Sequence, residues 1–490
     1  MNKKKSIYSI LVMMWTLSLC ALEPSNNELV TAKLYDSFFK SGEAQRAKLN
    51  LFLTQMPKGG DLHHHYSGSI YVETYLEWLQ ERNWGIDVET LKIVPKTITT
   101  STDSVLTVSD LLKNDVLYRK LLTLWSNKDY NNHCHEQVPP DSNFFYSFQY
   151  FKEISPLNHD LGLRILKDRA IKENVSYIET MIANVGVEAS NYYSTEQVSS
   201  LVSQLRACST QEQVNKLCVQ IESELVRNIQ FLGRVDLFNN NLIRNHRGID
   251  DENFMMRFQT YAVRVRDPLQ VYCELLSAYL ACESNSLLVG VNIVAPENDS
   301  VALRDYTLHM QMFNYLKSKY PRVNRALHAG ELTCGMVRPE NLKFHIKEAL
   351  EIAGAQRIGH GIDISYEAGS LETLEKIKHE SVVEINLTSN EFILGVKGQD
   401  HPYIIYEAYG VPMVISTDDS AVSRNNLSNE YLLLASRYQP SYKKIKEYVF
   451  NSVKYSFLNE KEKRELHKRV LLKFSKFERE MAEFSKKLKP

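Results

Sequence analysis

Residues 323–361 read VNRALHAGELTCGMVRPENLKFHIKEALEIAGAQRIGHG. A strand-like apolar run at 323–328 leads through a helical stretch at 340–353 to a second run at 356–360. Each run ends on a histidine, His328 and His360. The alternation continues in both directions. Apolar runs recur at 175–182, about 235–243, 287–294, 381–387 and 411–416, with helical stretches at 193–228, 252–283, 303–319 and 369–378. Strands that alternate with helices imply a parallel sheet covered by helices. With the segment Met56 to Tyr66 there are eight strand candidates, which predict a (β/α)8 TIM-type barrel with its working residues at the C-terminal ends of the strands. A doubly wound open sheet is the competing architecture, but no Gly-x-Gly-x-x-Gly turn supports it.

The rest of the chain fits around such a barrel. Of 490 residues, 43% are hydrophobic and 24% charged, which excludes fibrous and wholly disordered classes. Lys plus Arg (58) nearly cancels Asp plus Glu (59), so the basic excess of a nucleic-acid binder is missing. Residues 1–21 read as a secretory signal peptide: Lys3, Lys4 and Lys5, an apolar run from Ile7 to Leu19, then a cut after Cys20 or Ala21. Export to a periplasm or the exterior is the expectation, and the run is too short for an ordinary membrane span. Leu19 before Cys20 fits a lipoprotein box poorly. Residues 22–55 carry helical spacing (Val30, Leu34, Phe38, then Leu49, Phe52, Leu53) and form an N-terminal arm. Residues 70–80 read as a helix, 81–140 as a polar insertion between strands one and two, and 441–490 as a basic helical tail. The barrel domain is taken as 56–490. Without any Cys-x-x-Cys, zinc ribbons and thioredoxin-like sites are ruled out. Cys208 and Cys218 are close enough in sequence for a local disulfide, with buried free thiols as the alternative.

Four signals fall on strand ends. His63-His64-His65 closes the first, and alternation on a strand puts His63 and His65 on one face with His64 on the other. Paired imidazoles at that spacing suit Zn²⁺ or a similar ion. His328 ends the fifth strand within His-Ala-Gly-Glu331. His360 ends the sixth within Arg-Ile-Gly-His-Gly, and Asp418-Asp419 ends the eighth within Ser-Thr-Asp-Asp. Singly, each has an ordinary structural reading: a core imidazole, a loop carboxylate, a helix cap. Together, on strands one, five, six and eight, they converge on one barrel mouth.

These motifs resemble the adenosine deaminase family of metal-dependent amidohydrolase barrels, and more narrowly its secreted growth-factor branch. The resemblance rests on Met56-Pro-Lys…Leu-His-x-His65, His328–Glu331, Arg357–Gly361 and Ser416–Asp419. Tyr177-Ile178-Glu179, Thr388-Ser389-Asn390 and Asn451–Phe457 support it, and it spans roughly residues 56–460 in order. It implies one Zn²⁺ per chain held by His63, His65, His328 and Asp418, with water at the remaining position activated as hydroxide. His360 would orient that nucleophile, and Asp418 would help to receive its proton. Glu331 would protonate purine N1, which requires a carboxyl raised by burial, and Asp419 would bind N7. Adenosine, and 2′-deoxyadenosine, would become inosine-type products plus ammonia.

Two positions depart from the family pattern. Ser67 stands where many members carry an Asp that grips a ribose hydroxyl, and Ala295 stands where Gly is usual, beside purine N3. Ribose contacts are therefore expected from Glu179, on the second strand, or from His246, after the third. The growth-factor branch keeps an N-terminal dimerisation arm, so the resemblance also implies a homodimer through residues 26–55. The competing functions are deamination or C–N hydrolysis of another aminopurine compound in the same barrel, and a non-catalytic extracellular binding protein.

Overall fold

A computed structural model describes residues 24–40, 42–128, 130 and 138–487. The expected leader, with Cys20, lies outside the described residues. Eight parallel strands form the barrel wall: β1 Gly59–His65, β2 Val175–Ala183, β3 Met255–Val263, β4 Leu288–Val294, β5 Asn324–Ala329, β6 Arg357–His360, β7 Val383–Ile385 and β8 Met413–Ile415. Each is hydrogen-bonded to its sequence neighbours, in the order a (β/α)8 barrel requires. The ring closes just past the end of β8. There the Asp418 N–H donates to the His63 carbonyl (2.9 Å) and the His65 N–H to the Asp418 carbonyl (3.3 Å). The seam of the barrel therefore runs through three of the residues expected to hold metal.

One strand differs from the expected set. Residues 235–243 are helical, inside Ile229–His246, and the third strand is Met255–Val263, which the sequence pattern places in a helix. The buried residues of Ile229–His246 are Phe231, Val235, Asn239 and Leu242, at helical spacing, and the Asn228 side chain caps its first turn. The real strand carries Arg257, Gln259 and Thr260, all buried. Polar residues that a barrel interior can pair break the apolar run by which a strand is recognised. The run at 381–387 is also shorter than expected. Its end opens the helix Leu387–Leu394, whose first N–H groups (Leu387, Thr388) donate to the buried Glu430 carboxylate at 2.8 and 3.2 Å.

The arm consists of helices Asn26–Asp36 and Arg46–Gln55 with a two-residue-strand hairpin between them. Its buried apolar residues pack within the chain. Phe52 packs at 5.0 Å from Phe477 and 5.9 Å from Tyr442 between ring centres, and Tyr35 lies against Phe52 and Tyr442. Leu34, Tyr35, Leu49, Phe52 and Leu53 are all buried. This buried face covers the chain's own helices Tyr442–Lys454 and Glu460–Ser485.

The insertion holds a three-stranded sheet (Trp84–Asp87, Ile93–Thr97, Val105–Thr107) and the helices Val108–Lys113 and Asp115–Trp125; the helix Pro140–Phe151 follows it. It leans over loops at the C-terminal end of the barrel. The Asn127 N–H donates to the Val422 carbonyl (2.8 Å), and the Tyr130 ring meets Phe392 edge-on at 4.9 Å. Cys208 and Cys218 are free thiols. No helix among the described residues is long and apolar enough to cross a membrane.

Candidate active site

The strand ends bring His63, His65, His328 and Asp418 together, with one ligand atom from each inside a span of 4.8 Å. His63 and His65 are alternate residues of β1 and point into the mouth, whereas His64 points outward and bonds Thr180 Oγ1 (2.9 Å). Nε2 of His65 lies 3.2 Å from Nε2 of His328 and 3.2 Å from Oδ1 of Asp418. Nε2 of His63 is 3.5 Å from the same oxygen and has no hydrogen-bond partner among the described residues.

Partners behind the rings decide where their lone pairs face. Nδ1 of His63 lies 2.7 Å from the Glu384 carboxylate, and Nδ1 of His328 lies 2.9 Å from Oδ1 of Asn292. Both partners accept, so both rings carry their protons on Nδ1 and turn bare Nε2 atoms toward each other. Bare nitrogens facing one another and a carboxylate form a cation site. Three imidazoles and one carboxylate in this arrangement fit a zinc-type ion.

Three further acid–base groups line the same mouth. Glu331 is 6% exposed, and burial pushes its carboxyl well above the usual range, helped by the Asp418 and Glu297 carboxylates. Its position is set through the backbone: the N–H groups of Gly330 and Glu331 donate to the two Glu297 oxygens at 3.1 and 2.8 Å. Glu297 is buried against Nδ1 of His345 (2.6 Å). Asp419 is likewise pushed well upward by burial and by the neighbouring Asp418, and its Oδ1 has no partner among the described residues. Gly68 makes room for that carboxyl, since a Cβ there would sit 1.6 Å from Asp419 Oδ1. His360 Nε2 lies 3.7 Å from Glu331 Oε1. His360 and Asp418 both have left-handed backbones, φ 70° and 60°, a conformation costly for residues with a Cβ and found where a site demands it.

The two expected ribose partners are elsewhere. Glu179 is fully buried inside the barrel wall. It pairs with the Arg357 guanidinium (2.5 Å) and accepts from Tyr177 Oη (2.9 Å), Gln259 Nε2 (3.0 Å) and the Phe457 N–H (3.1 Å). All its acceptor capacity is used, so it has none for a sugar. His246 ends the helix Ile229–His246, before β3 and so at the opposite end of the barrel from the mouth, and pairs with Asp250 at 3.1 Å. Its assignment rested on the misplaced third strand. Ser67 and Ala295 do lie just past the C-terminal ends of β1 and β4, on the mouth side.

The barrel interior explains what Glu179 does. Arg357 bridges it to Glu384 (2.6 Å), which holds His63, while Gln259 bridges it to Asn292 (3.1 Å), which holds His328. A buried ring of side chains thus ties two of the metal-facing histidines together from below. Sequence reasoning missed Glu384, Asn292, Gln259 and Arg357 as site residues. The available signal was a polar residue inside an otherwise apolar strand. Glu179→Gln is expected to lower stability by about 3–5 kcal/mol, the usual loss on breaking a buried ion pair. Thermal melting checks this, and an unchanged melt would return Glu179 to the list of ligand contacts.

Ala295 has φ 84°. Relief of left-handed strain by Ala295→Gly, about 1–2 kcal/mol, exceeds the extra freedom Gly gives the unfolded chain. A rise in Tm of about 1–2 °C is expected by calorimetry, and a fall would mean that the methyl group packs favourably.

A family model for adenosine deaminase matches residues 190–473. The chain belongs to the adenosine deaminase family. Among curated members, the adenosine deaminase of Clostridium perfringens (strain 13 / Type A) is 27% identical over 199 residues, covering 40% of this chain and 56% of that protein. That of Enterococcus faecalis is 33% identical over 146 residues, covering 29% of this chain and 40% of the relative. The chain therefore spans about half the length of these relatives. Solved structures share the fold at low identity. An Arabidopsis N6-mAMP deaminase superposes with a TM-score of 0.55 at 17% identity, covering 86% of this chain and 99% of that one. An amidohydrolase from Burkhoderia ambifaria with bound Zn gives 0.52 at 14%, covering 88% and 94%. The metal dependence of the family agrees with the cation site described above.

Proposed function

We propose that the protein is a zinc-dependent adenosine deaminase that converts adenosine, and 2′-deoxyadenosine, to the inosine-type nucleoside and ammonia. The observation that carries this reading is the meeting of a three-histidine, one-carboxylate cation site with a buried Glu331 whose carboxyl is held well above the usual carboxylate range. His63, His65, His328 and Asp418 would hold a zinc ion, which would supply Lewis-acid activation of water at neutral pH. Glu331 donates its proton to purine N1, which draws electrons from C6. Asp419, whose carboxyl burial and the neighbouring Asp418 push upward, donates to N7 and orients the ring. Asp418, beside the incoming water, helps to receive its proton, and His360 steadies the charge that develops on its oxygen. The water oxygen joins C6, the proton taken up by Asp418 passes to the amino group, which leaves as ammonia, and the remaining hydroxyl proton returns to Glu331 as the C6 carbonyl forms. Ser67 and Ala295 shape the sugar and N3 side of the pocket.

Release of ammonia from adenosine, 2′-deoxyadenosine, AMP and adenine, and of methylamine from N6-methyl-AMP, tests the assignment. The highest kcat/KM is expected for the nucleosides. A nucleotide or free adenine turning over faster would replace the substrate but keep the chemistry; no release from any would overturn the reaction. The leader at residues 1–21 supports export of the mature enzyme, and N-terminal sequencing of the protein recovered outside the cytoplasm tests it.

A further inference from the structure

His360 meets the reaction space through Nε2, which has no partner among the described residues. Its other ring nitrogen, Nδ1, lies 2.9 Å from Nδ2 of Asn390 and 3.4 Å from Nδ2 of Asn386. Asn390 is fully buried in the helix Leu387–Leu394, and its Oδ1 lies 3.1 Å from Nε2 of His401. His401 is fully buried too, and its Nδ1 lies 3.0 Å from the backbone nitrogen of Tyr403.

One end of this chain has a fixed polarity. A backbone N–H only donates, so Nδ1 of His401 accepts from Tyr403 and the proton of the neutral ring sits on Nε2. That proton is donated to Oδ1 of Asn390, which settles the orientation of the amide. Its NH2 group then donates to Nδ1 of His360, leaving the His360 proton on Nε2, in the mouth of the barrel. Burial favours the neutral form of His401, taking its pKa down to about 3. Every link is a donor meeting an acceptor, and reversing any one of them leaves two donors or two acceptors face to face.

We propose that Asn390 and His401 are positioning residues that hold His360 in the Nε2–H tautomer, so that it faces the reacting water oxygen as a hydrogen-bond donor and does not act as the base. The tautomer stands on the hydrogen-bond chain alone, and its chemical meaning rests on the deaminase reading above. Asn390 belongs to the Thr388-Ser389-Asn390 motif, for which the reaction itself supplies no role. His401, eleven residues further on, reaches it because the helix ends at Gly395 and the chain folds back.

The test is a long-range ¹H–¹⁵N spectrum of the full-length protein with ring-labelled histidine, His360 being assigned by its loss in His360→Gln. A protonated Nε2 and a bare Nδ1 are expected. A proton on Nδ1, or on both nitrogens, overturns the proposal from the wild-type spectrum alone, whatever the variants do. Asn390→Asp replaces the donor by an acceptor and is expected to move the His360 proton to Nδ1. With that move kcat should fall about 10–100-fold, with metal content and KM little changed. His401→Gln offers the same acceptor-then-donor sequence and should keep the Nε2–H signature. An Asn390→Asp protein that folds, binds metal and keeps the wild-type tautomer overturns the relay. An Nε2–H tautomer in a protein that deaminates no aminopurine upholds the relay and overturns the reaction instead.

Discussion

Glu331→Gln is expected to lower kcat by about 10²–10⁴-fold, the usual contribution of a general acid, while metal content stays at the wild-type level. The amide is nearly isosteric with the acid. Its backbone would stay fixed by the Glu297 carboxylate, which clamps the N–H groups of residues 330 and 331. What it loses is an acidic proton for N1. A buried carboxyl beside the Asp418 and Glu297 carboxylates keeps that proton above the usual carboxylate range. The active form is protonated, so turnover carried by Glu331 is full below its raised pKa and is lost as pH rises through it. Steady-state kinetics with elemental analysis of the same sample is the check. A variant keeping more than about half of kcat would remove Glu331 from the role of donor.

His63→Ala and Asp418→Ala are each expected to lose both bound metal and turnover. Either change removes one of the four converging donors and leaves a site whose geometry was built for four, so the affinity for the ion should drop steeply. For Asp418 the closure of the barrel itself is left intact. The bonds that close the barrel there use its backbone N–H and carbonyl, which alanine keeps. A ligand that binds only the folded state also stabilises it. A chelator should therefore lower Tm for the wild type and leave it unchanged for both variants. Full zinc with wild-type turnover in either variant would overturn the assignment of the metal site.

The metal-facing histidines, Glu331, His360 and the Asp418-Asp419 pair were all legible in the sequence, because each lies at the end of an apolar run and strand alternation settles which of two neighbours faces inward. The architecture was legible for the same reason, in seven of eight strands. The third was missed because Arg257 and Gln259 break its apolar run, and they do so because a barrel interior satisfies polar side chains that an open sheet would leave in water or unpaired. Glu179 was assigned to a sugar for a related reason. A lone acidic residue on a strand gives no sign of whether an arginine 178 positions away will neutralise it.

By itself, then, the sequence determined which residues stand at which strand ends, since that follows from periodicity along a single stretch of chain. Only the tertiary structure decided which polar residues share a partner: Glu384 behind His63, Asn292 behind His328, Asn390 and His401 behind His360, and the arm folded onto the tail helices. Hydrogen-bond polarity and charge pairing act through space over a few ångströms. Residues hundreds of positions apart meet in a closed barrel, and no local pattern records whom each will face.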